Sequence, residues 1–255
     1  LALTEASKIA KELPKHIQDQ GSERRVSMPK FGTINERRHR LHEVVRLSGI
    51  NVIINDEDFP LVIKVASLPG ARLQVYFLDN EDFFKRKTIF HDENNKFFED
   101  NSDRMIFFCK GVLETVRKFG WSPDIIHCFG WMTSLIPMYL KTTYKDDPIF
   151  TNTKVIYSVA KNEFKDTLKK DFVTKLTISE DISKKHSDYF KNGDNTSLNI
   201  GGVEFADALL VGESLDEKVS SHLKKAKGKK VLKLASKEEN PLPLLTSFYN
   251  NIMAN

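Results

Sequence analysis

The sequence predicts an α/β protein with a Rossmann-like, doubly wound, mostly parallel sheet and helices on both faces. From residue 123 onwards, continuous apolar runs of strand length alternate with helical segments, as they do when βα units build a parallel sheet. The 255 residues are 40% hydrophobic and 29% charged, which provides enough apolar material for a buried core. We find no internal repeat and no low-complexity linker in the sequence, and we therefore expect one domain over residues 1–255.

The first half of the chain begins and ends with a helix. Ile9, Leu13 and Ile17 have helical spacing in the first of them. The second is a long amphipathic helix over residues 103–120, which Gly120 is expected to stop. Between the two lie β-branched or alternating runs that Gly and Pro interrupt, the pattern of strands and hairpin-like turns. These runs cover residues 24–29, 42–56, 59–68 and 71–80, and a short helix is expected over residues 80–87.

The second half of the chain alternates strands with helices. The predicted strands are residues 124–128, 153–159, 207–212 and 229–235. The predicted helices are residues 131–141, 215–226 and 241–253, and residues 164–192 are predicted as a lysine-rich helical region. In a doubly wound sheet the first strand is central, and the turn after it often binds ligand. Since the chain opens on a helix of the kind that follows such a strand, we expect the first strand to precede residue 1.

Charge and composition argue against several classes of protein. The net charge is only +4, and the lysines of residues 222–230 are followed by acidic residues, so the pattern favours a solvated surface over a nucleic-acid interface. No apolar run approaches the roughly 18–20 residues of a membrane span, and no secretory leader is present. We therefore expect a cytoplasmic protein without membrane or nucleic-acid partners.

The residues that most often bind metal do not form a metal-binding pattern. Cys109 and Cys128 both have apolar neighbours in the sequence, which is typical of reduced core cysteines. His39 and His42 have no carboxylate or cysteine at a convincing metal spacing. The sequence therefore predicts no metal site.

Three stretches of the chain carry a family resemblance. They are "VYFLDNEDFFKRKTIF" (75–90), "RMIFFCKGVLETVRKFGWSPDIIHC" (104–128) and "NIGGVEFADALLVGESLDEKV" (199–219). Together they resemble the N-terminal half of bacterial glycogen synthases and plant starch synthases. The resemblance implies a GT-B glycosyltransferase fold, of which this chain is similar to the first of two Rossmann-like domains. It also implies that the 255 residues contain no C-terminal donor domain.

The resemblance places a cleft at the end of the strand over 124–128. There the family has His-x-His-Asp-Trp-His, and its last histidine lies against the transferred sugar. This sequence keeps His127 and Trp131, and it has Met132 at the position of the cleft histidine. A thioether neither donates a strong hydrogen bond nor carries a proton. His127 is consistent with a hydrogen-bonded core residue or with a catalyst, and Trp131 with helix–sheet packing or with stacking on a sugar.

Two further family motifs are also replaced. Where the family has Lys-Thr-Gly-Gly-Leu against the sugar nucleotide, this chain has residues 2–6, with Thr4 in the middle and Glu5 adding a negative charge. Where the family has a His-Asn pair in its glucan-binding loop, this chain has Ala160 and Lys161. We assign no catalytic residue. The substrate-contact candidates that the resemblance implies are Thr4, Glu5, His127, Trp131, Met132 and Lys161.

Two functions are compatible with this pattern. The first is a glycogen or starch synthase-like glycosyltransferase domain of α-1,4-glucan metabolism, with ADP-glucose or UDP-glucose as donor and no other cofactor. In this case the replaced motifs predict no transfer by the isolated chain, and a second chain would supply the donor domain. The alternative is a non-catalytic module of the same fold that binds an α-glucan or docks with a partner.

Four other residues have structural interpretations that compete with ligand binding. Asp79 and Asn80 lie where a predicted strand ends and a predicted helix begins. We favour helix capping over ligand contact for them. Gly201 and Gly202 do not form a GxGxxG run after a strand. They are therefore expected to allow close helix packing rather than to bind phosphate.

Overall fold

The computed structural model describes residues 5–68, 73–159, 161, 164–234 and 240–254, with side chains from residue 9 onwards. These residues form two compact units. One is Pro14–Gly120, and the other is Trp121–Asn255 with Leu1–Leu13. The organisation of residues 1–255 as one domain stays a prediction.

Both units contain helices and strands. The strands are β1 (Val26–Pro29), β2 (His42–Glu43), β3 (Ile50–Ile54), β4 (Glu57–Ser67), β5 (Gln74–Asp79), β6 (Ile125–Phe129), β7 (Lys154–Val159), β8 (Ala208–Val211) and β9 (Lys230–Lys233). The helices are α1 (Glu5–Asp19), α2 (Glu36–His39), α3 (Glu81–Phe84), α4 (Asn101–Phe119), α5 (Ile136–Lys141), α6 (Phe172–Lys175), α7 (Lys184–Ser187), α8 (Asn195–Phe205), α9 (Glu217–Lys225) and α10 (Leu242–Met253). Two 3₁₀ turns cover Trp131–Thr133 and Asp188–Phe190.

The unit Pro14–Gly120 contains a mixed sheet. Its strand order is β1-β5-β4-β2, and β3 pairs with β4. β1 and β5 are parallel, whereas β4 runs antiparallel to β5, β2 and β3. The long helix α4 contacts β1, β3 and β5, and its apolar face contributes Ile106, Cys109 and Leu113 to the core. The predicted hairpins and the predicted long helix are confirmed.

The other unit contains a fully parallel sheet of order β6-β7-β8-β9. Because parallel crossovers are right-handed, three successive crossovers in one direction place α5, α8 and α9 on the same face. The side chain of Tyr157 points to this face, because its hydroxyl donates to Asn199 Oδ1 of α8 at 3.0 Å. Helix α10 follows the last strand and lies on the opposite face of this sheet.

The strand register places α10 on that opposite face. His127, Ile156, Ala208 and Lys230 are register partners across the four strands, so their side chains share one face. His127 bonds Tyr249 of α10, and Lys230 Nζ donates to Asn251 Oδ1 of α10 at 2.9 Å. The parallel sheet is therefore covered on both faces, and the predicted α/β fold class is confirmed.

The predictions of a helix stop at Gly120, a helix cap at Asn80 and two reduced core cysteines are confirmed. Helix α4 is followed by Gly120 in the left-handed conformation, with φ 64°, as predicted. Asn80 caps α3, because its Oδ1 accepts from Asp82 N at 3.1 Å and Phe83 N at 3.3 Å. Cys109 and Cys128 are free and buried.

The helical region predicted over residues 164–192 consists of short, separate elements rather than one continuous helix. The structure has only α6, α7 and a 3₁₀ turn in this segment. The Ser, Thr and Asp residues of this segment compete with the backbone for hydrogen bonds, and they favour caps and turns over a long helix.

Candidate functional site

The turn after β6 is built around Gly130. Gly130 has φ 79° and ψ 162°, a backbone conformation that L side chains rarely adopt. The 3₁₀ turn Trp131–Thr133 follows, and Thr133 Oγ1 closes it by donating to the Gly130 carbonyl at 2.7 Å. The predicted helix over 131–141 is therefore this 3₁₀ turn followed by α5. The strand–turn–helix architecture is that of an α/β active-site turn.

Both ring nitrogens of His127 are engaged inside this unit. Nε2 lies 2.7 Å from Ser158 Oγ, and Nδ1 forms a short hydrogen bond with the Tyr249 hydroxyl. The imidazole also stacks on Phe129, with ring centroids 4.0 Å apart. Burial lowers the pKa of His127 to about 3, and burial raises the pKa of Tyr249 above its usual range. Both groups are therefore neutral at physiological pH, and neither nitrogen of His127 is available to a ligand.

Trp131 and Met132 are packing residues in this structure. Trp131 is 3% exposed, and its ring lies 4.9 Å from that of Phe164. Met132 is 6% exposed. A buried indole cannot present its face to a sugar without a rearrangement of the turn. The substrate-contact roles that the resemblance implies for His127, Trp131 and Met132 stay predictions.

The structure does not test the remaining sequence candidates at this turn. Lys161 is exposed. Thr4 and Ala160 lie outside the described residues, and Glu5 begins α1 with a side chain that is likewise outside them. Their proposed substrate contacts stay predictions. Across the part of the chain that the structure describes, no group of His, Cys, Asp and Glu side chains is arranged to hold a metal ion.

Sequence reasoning missed two members of the cluster around His127. Ser158 lies in β7, and Tyr249, which follows His127 by 122 residues, lies in α10. A hydroxyl residue that interrupts the apolar run over 155–159 was a signal for Ser158. No local pattern indicated Tyr249, because its helix reaches His127 only after the sheet has formed.

The pKa of His127 makes the stability of this unit pH-dependent. The folded pKa of about 3 lies below the ordinary value of 6.5, so the unfolded chain takes up the proton first as pH falls. The resulting stability is fully present above pH 6.5 and is lost towards pH 3, by about 1.4 kcal/mol per pH unit. We expect the variant His127→Gln to lack this contribution.

Urea denaturation followed by tryptophan fluorescence checks this prediction. The free energies of unfolding of wild type and His127→Gln are compared at about pH 7.5 and about pH 4.5. The other ionisable groups titrate in both proteins, so their effect cancels in the comparison. The wild type should lose about 2–3 kcal/mol more than the variant between these two pH values. Equal losses in the two proteins would mean that His127 is accessible to protons in the folded state.

None of the helices in the described ranges is both long and apolar enough to cross a bilayer.

Comparison with known proteins gives concordant matches. The family model for the starch synthase catalytic domain matches residues 6–232. The glycogen synthase of Chlorobium limicola is 40% identical over 197 residues, which are 77% of this chain and 40% of that protein. The glycogen synthase of Chlorobium chlorochromatii is 45% identical over 147 residues, which are 57% of this chain and 30% of that protein. The chain thus spans well under half the length of these relatives.

A solved structure has the same fold. The catalytic domain of starch synthase IV from Arabidopsis thaliana, bound to ADP and acarbose, superposes with a TM-score of 0.72 at 15% identity. The match covers 91% of this chain and 48% of that one. At this identity the likeness shows the fold, a GT-B half, and residue roles do not follow from it. Helix α10 with Tyr249 lies beyond the residues that the family model matches.

Proposed function

Since the chain belongs to the starch synthase catalytic domain family of glycosyltransferases, we propose that it works in cytoplasmic α-1,4-glucan metabolism and does not transfer glucose alone. Its role is that of a glycogen or starch synthase-like domain that presents the glucan side of a transfer cleft. The family match over residues 6–232 supports the lineage. The engagement of both His127 nitrogens is the observation that supports the absence of transfer.

The chemistry of the turn leads to this proposal. Glucosyl transfer from a sugar nucleotide needs groups that stabilise charge on the leaving diphosphate and that position the sugar. At the turn after β6, the imidazole is neutral and saturated, the indole is buried, and the family's cleft histidine is replaced by the thioether of Met132. These side chains supply neither a cation nor a proton. In our proposal, ADP-glucose or UDP-glucose is bound by groups that a second chain supplies.

A transfer assay tests this proposal. The purified chain is incubated with labelled ADP-glucose or UDP-glucose and a maltooligosaccharide, and label in lengthened glucan is counted. We expect no incorporation above a protein-free blank. The glycogen synthase of Chlorobium limicola, assayed in parallel, is the positive control. Incorporation by the isolated chain at a rate near that control would overturn the proposal, and the turn would then have to rearrange to expose His127.

A further inference from the structure

A short segment of the Pro14–Gly120 unit has a high density of arginine. Residues 37–46 contain four of the ten arginines of the chain and none of its 29 lysines. With one glutamate in the same stretch, the net charge of these ten residues is +3. All four arginines are exposed: Arg37, Arg38, Arg40 and Arg46. We call residues 37–46 the arginine segment.

The unit itself does not pair these arginines with carboxylates. Among the residues that the structure describes, none of the four forms an ion pair. Glu36, which precedes them, is already engaged, because Lys30 and Lys64 both pair with its Oε1. The hydrogen bonds from Lys30 and then from Lys64 lower the pKa of Glu36, so its negative charge is balanced by lysines. A guanidinium binds a carboxylate through two parallel hydrogen bonds, and this capacity of the arginine segment is left for a partner.

The backbone under the first arginines is held in place. Asn35 caps α2, because its Oδ1 accepts from Arg38 N at 2.9 Å. Lys64 Nζ donates to Glu36 Oε1 at 2.9 Å, which attaches α2 to β4. The arginine side chains therefore extend from a defined backbone, and this lowers the entropic cost of binding.

An exposed apolar side chain lies within the same segment. Val45 is 77% exposed, more than any other large hydrophobic residue in the described ranges. The turn that carries it is anchored, because Leu47 is fully buried and Ser48 Oγ accepts from Ile63 N of β4 at 3.0 Å. Arg46 follows Val45 directly. The segment therefore presents an apolar contact beside its cationic ones.

This combination fits an acidic protein surface better than a nucleic acid. Protein interfaces are enriched in arginine and depleted in lysine, and their centres are apolar. Single-stranded nucleic acids stack their bases on aromatic rings, and residues 37–46 contain no Phe, Tyr or Trp. The lysine-rich stretch over residues 222–230 differs from the arginine segment. There Lys229 and Lys230 donate to main-chain carbonyl groups of their own unit.

We propose that the arginine segment is a docking surface for a protein partner whose contacting segment carries glutamate or aspartate around an apolar side chain. In this complex the guanidinium groups bind the carboxylates, and the apolar side chain covers Val45. The surface lies within one unit and uses none of the residues at the turn after β6. The proposal therefore goes beyond the role in α-glucan metabolism, and it does not depend on the transfer assay.

Fluorescence anisotropy of a labelled peptide of repeated Glu-Leu-Glu units, titrated with the whole chain, tests the proposal. The variant Arg37→Glu with Arg38→Glu reverses two charges of the arginine segment. The matched control, Lys224→Glu with Lys227→Glu, makes the same change of net charge at two exposed lysines of the lysine-rich stretch. We expect the wild type and the control to bind the peptide equally, and the arginine variant to bind it at least about tenfold more weakly. Thermal melts verify that all the proteins are folded.

The variant Val45→Ser tests the apolar contact without changing the charge. We expect it to weaken peptide binding several-fold, because burial of a valine side chain contributes to affinity. Peptide binding that Val45→Ser leaves unchanged contradicts the apolar contact. A labelled single-stranded DNA is titrated in parallel. DNA binding that is tighter than peptide binding, and that Val45→Ser leaves unchanged, contradicts a protein partner.

The remaining outcomes concern the charges. Absence of peptide binding by the wild type overturns the proposal, as does equal binding by the wild type and the arginine variant. An equal loss in the arginine variant and the lysine control also overturns it, because net charge alone would then attract the peptide. In each case the role in α-glucan metabolism stands, since the transfer assay uses neither the peptide nor these variants.

Discussion

Replacing Arg104 with alanine is expected to lower the free energy of unfolding of the Pro14–Gly120 unit by about 3–5 kcal/mol. Arg104 lies in α4 with 0% of its surface exposed. Its Nη1 donates to the Ile89 carbonyl at 2.7 Å and to Asn101 Oδ1 at 2.6 Å. Burial lowers the pKa of Arg104 to about 10, although the nearby Asp100 acts in the opposite direction. The guanidinium therefore remains charged at neutral pH inside the core.

Aromatic rings take the place of a direct carboxylate partner. The Arg104 guanidinium carbon lies 5.4–5.7 Å from the ring centroids of Phe31, Phe84 and Phe98. Each desolvated cation–π contact contributes on the order of 1–2 kcal/mol. Alanine would remove these contacts, leave the Ile89 carbonyl without this donor, and open a cavity between the rings. The loss is large because these effects coincide.

Urea denaturation followed by far-UV circular dichroism measures this loss. The matched control is Arg117→Ala on the same helix, because Arg117 is 47% exposed and pairs with Glu114 at the surface. We expect the control to lose no more than about 1 kcal/mol. Arg104→Lys keeps the charge but not the planar fork, and its loss should be intermediate. A loss for Arg104→Ala as small as the control's would show that the buried cation contributes little.

Replacing Gly201 with alanine is expected to cost about 3 kcal/mol of stability in the parallel-sheet unit. A Cβ at Gly201 would lie 2.7 Å from Phe190 Cδ1 and closer still to two other atoms of that ring. Phe190 is 0% exposed, so its ring has no solvent to move into. The neighbouring Gly202 is likewise packed against the Tyr157 ring. The interpretation of this glycine pair as close helix packing is confirmed.

The sign of the effect separates packing from helix propensity. In an exposed helix, Gly→Ala stabilises by about 1 kcal/mol, whereas the clash at Gly201 predicts the opposite. Gly212→Ala is the control, since its Cβ would make only an ordinary contact of 3.6 Å. The double variant Gly201→Ala with Phe190→Leu should recover part of the loss. Unfolding is followed by tryptophan fluorescence, and a Gly201→Ala protein as stable as the wild type would contradict the predicted clash.

The position of the turn after β6 was predicted from sequence, whereas the surroundings of its side chains were not, for a physical reason. The family motif drew attention to His127, Trp131 and Met132, and the strand pattern placed them at a turn. Whether these side chains face a ligand or the core is not a local property, because it depends on which residues pack against them. Phe164 covers Trp131, and Ser158 and Tyr249 saturate His127. None of these three is a sequence neighbour of the residue that it contacts.

The amino-acid sequence by itself determined the α/β class, the order of most strands and helices, and the family, because hydrophobic periodicity and motif spacing are local signals. Tertiary structure alone decided that one sheet is mixed and the other parallel, and that α10 covers the face opposite α5, α8 and α9. It also decided that the residues at the turn after β6 are packed and saturated. The reason is that strand pairing and side-chain burial join residues far apart in the chain, and no local period records them.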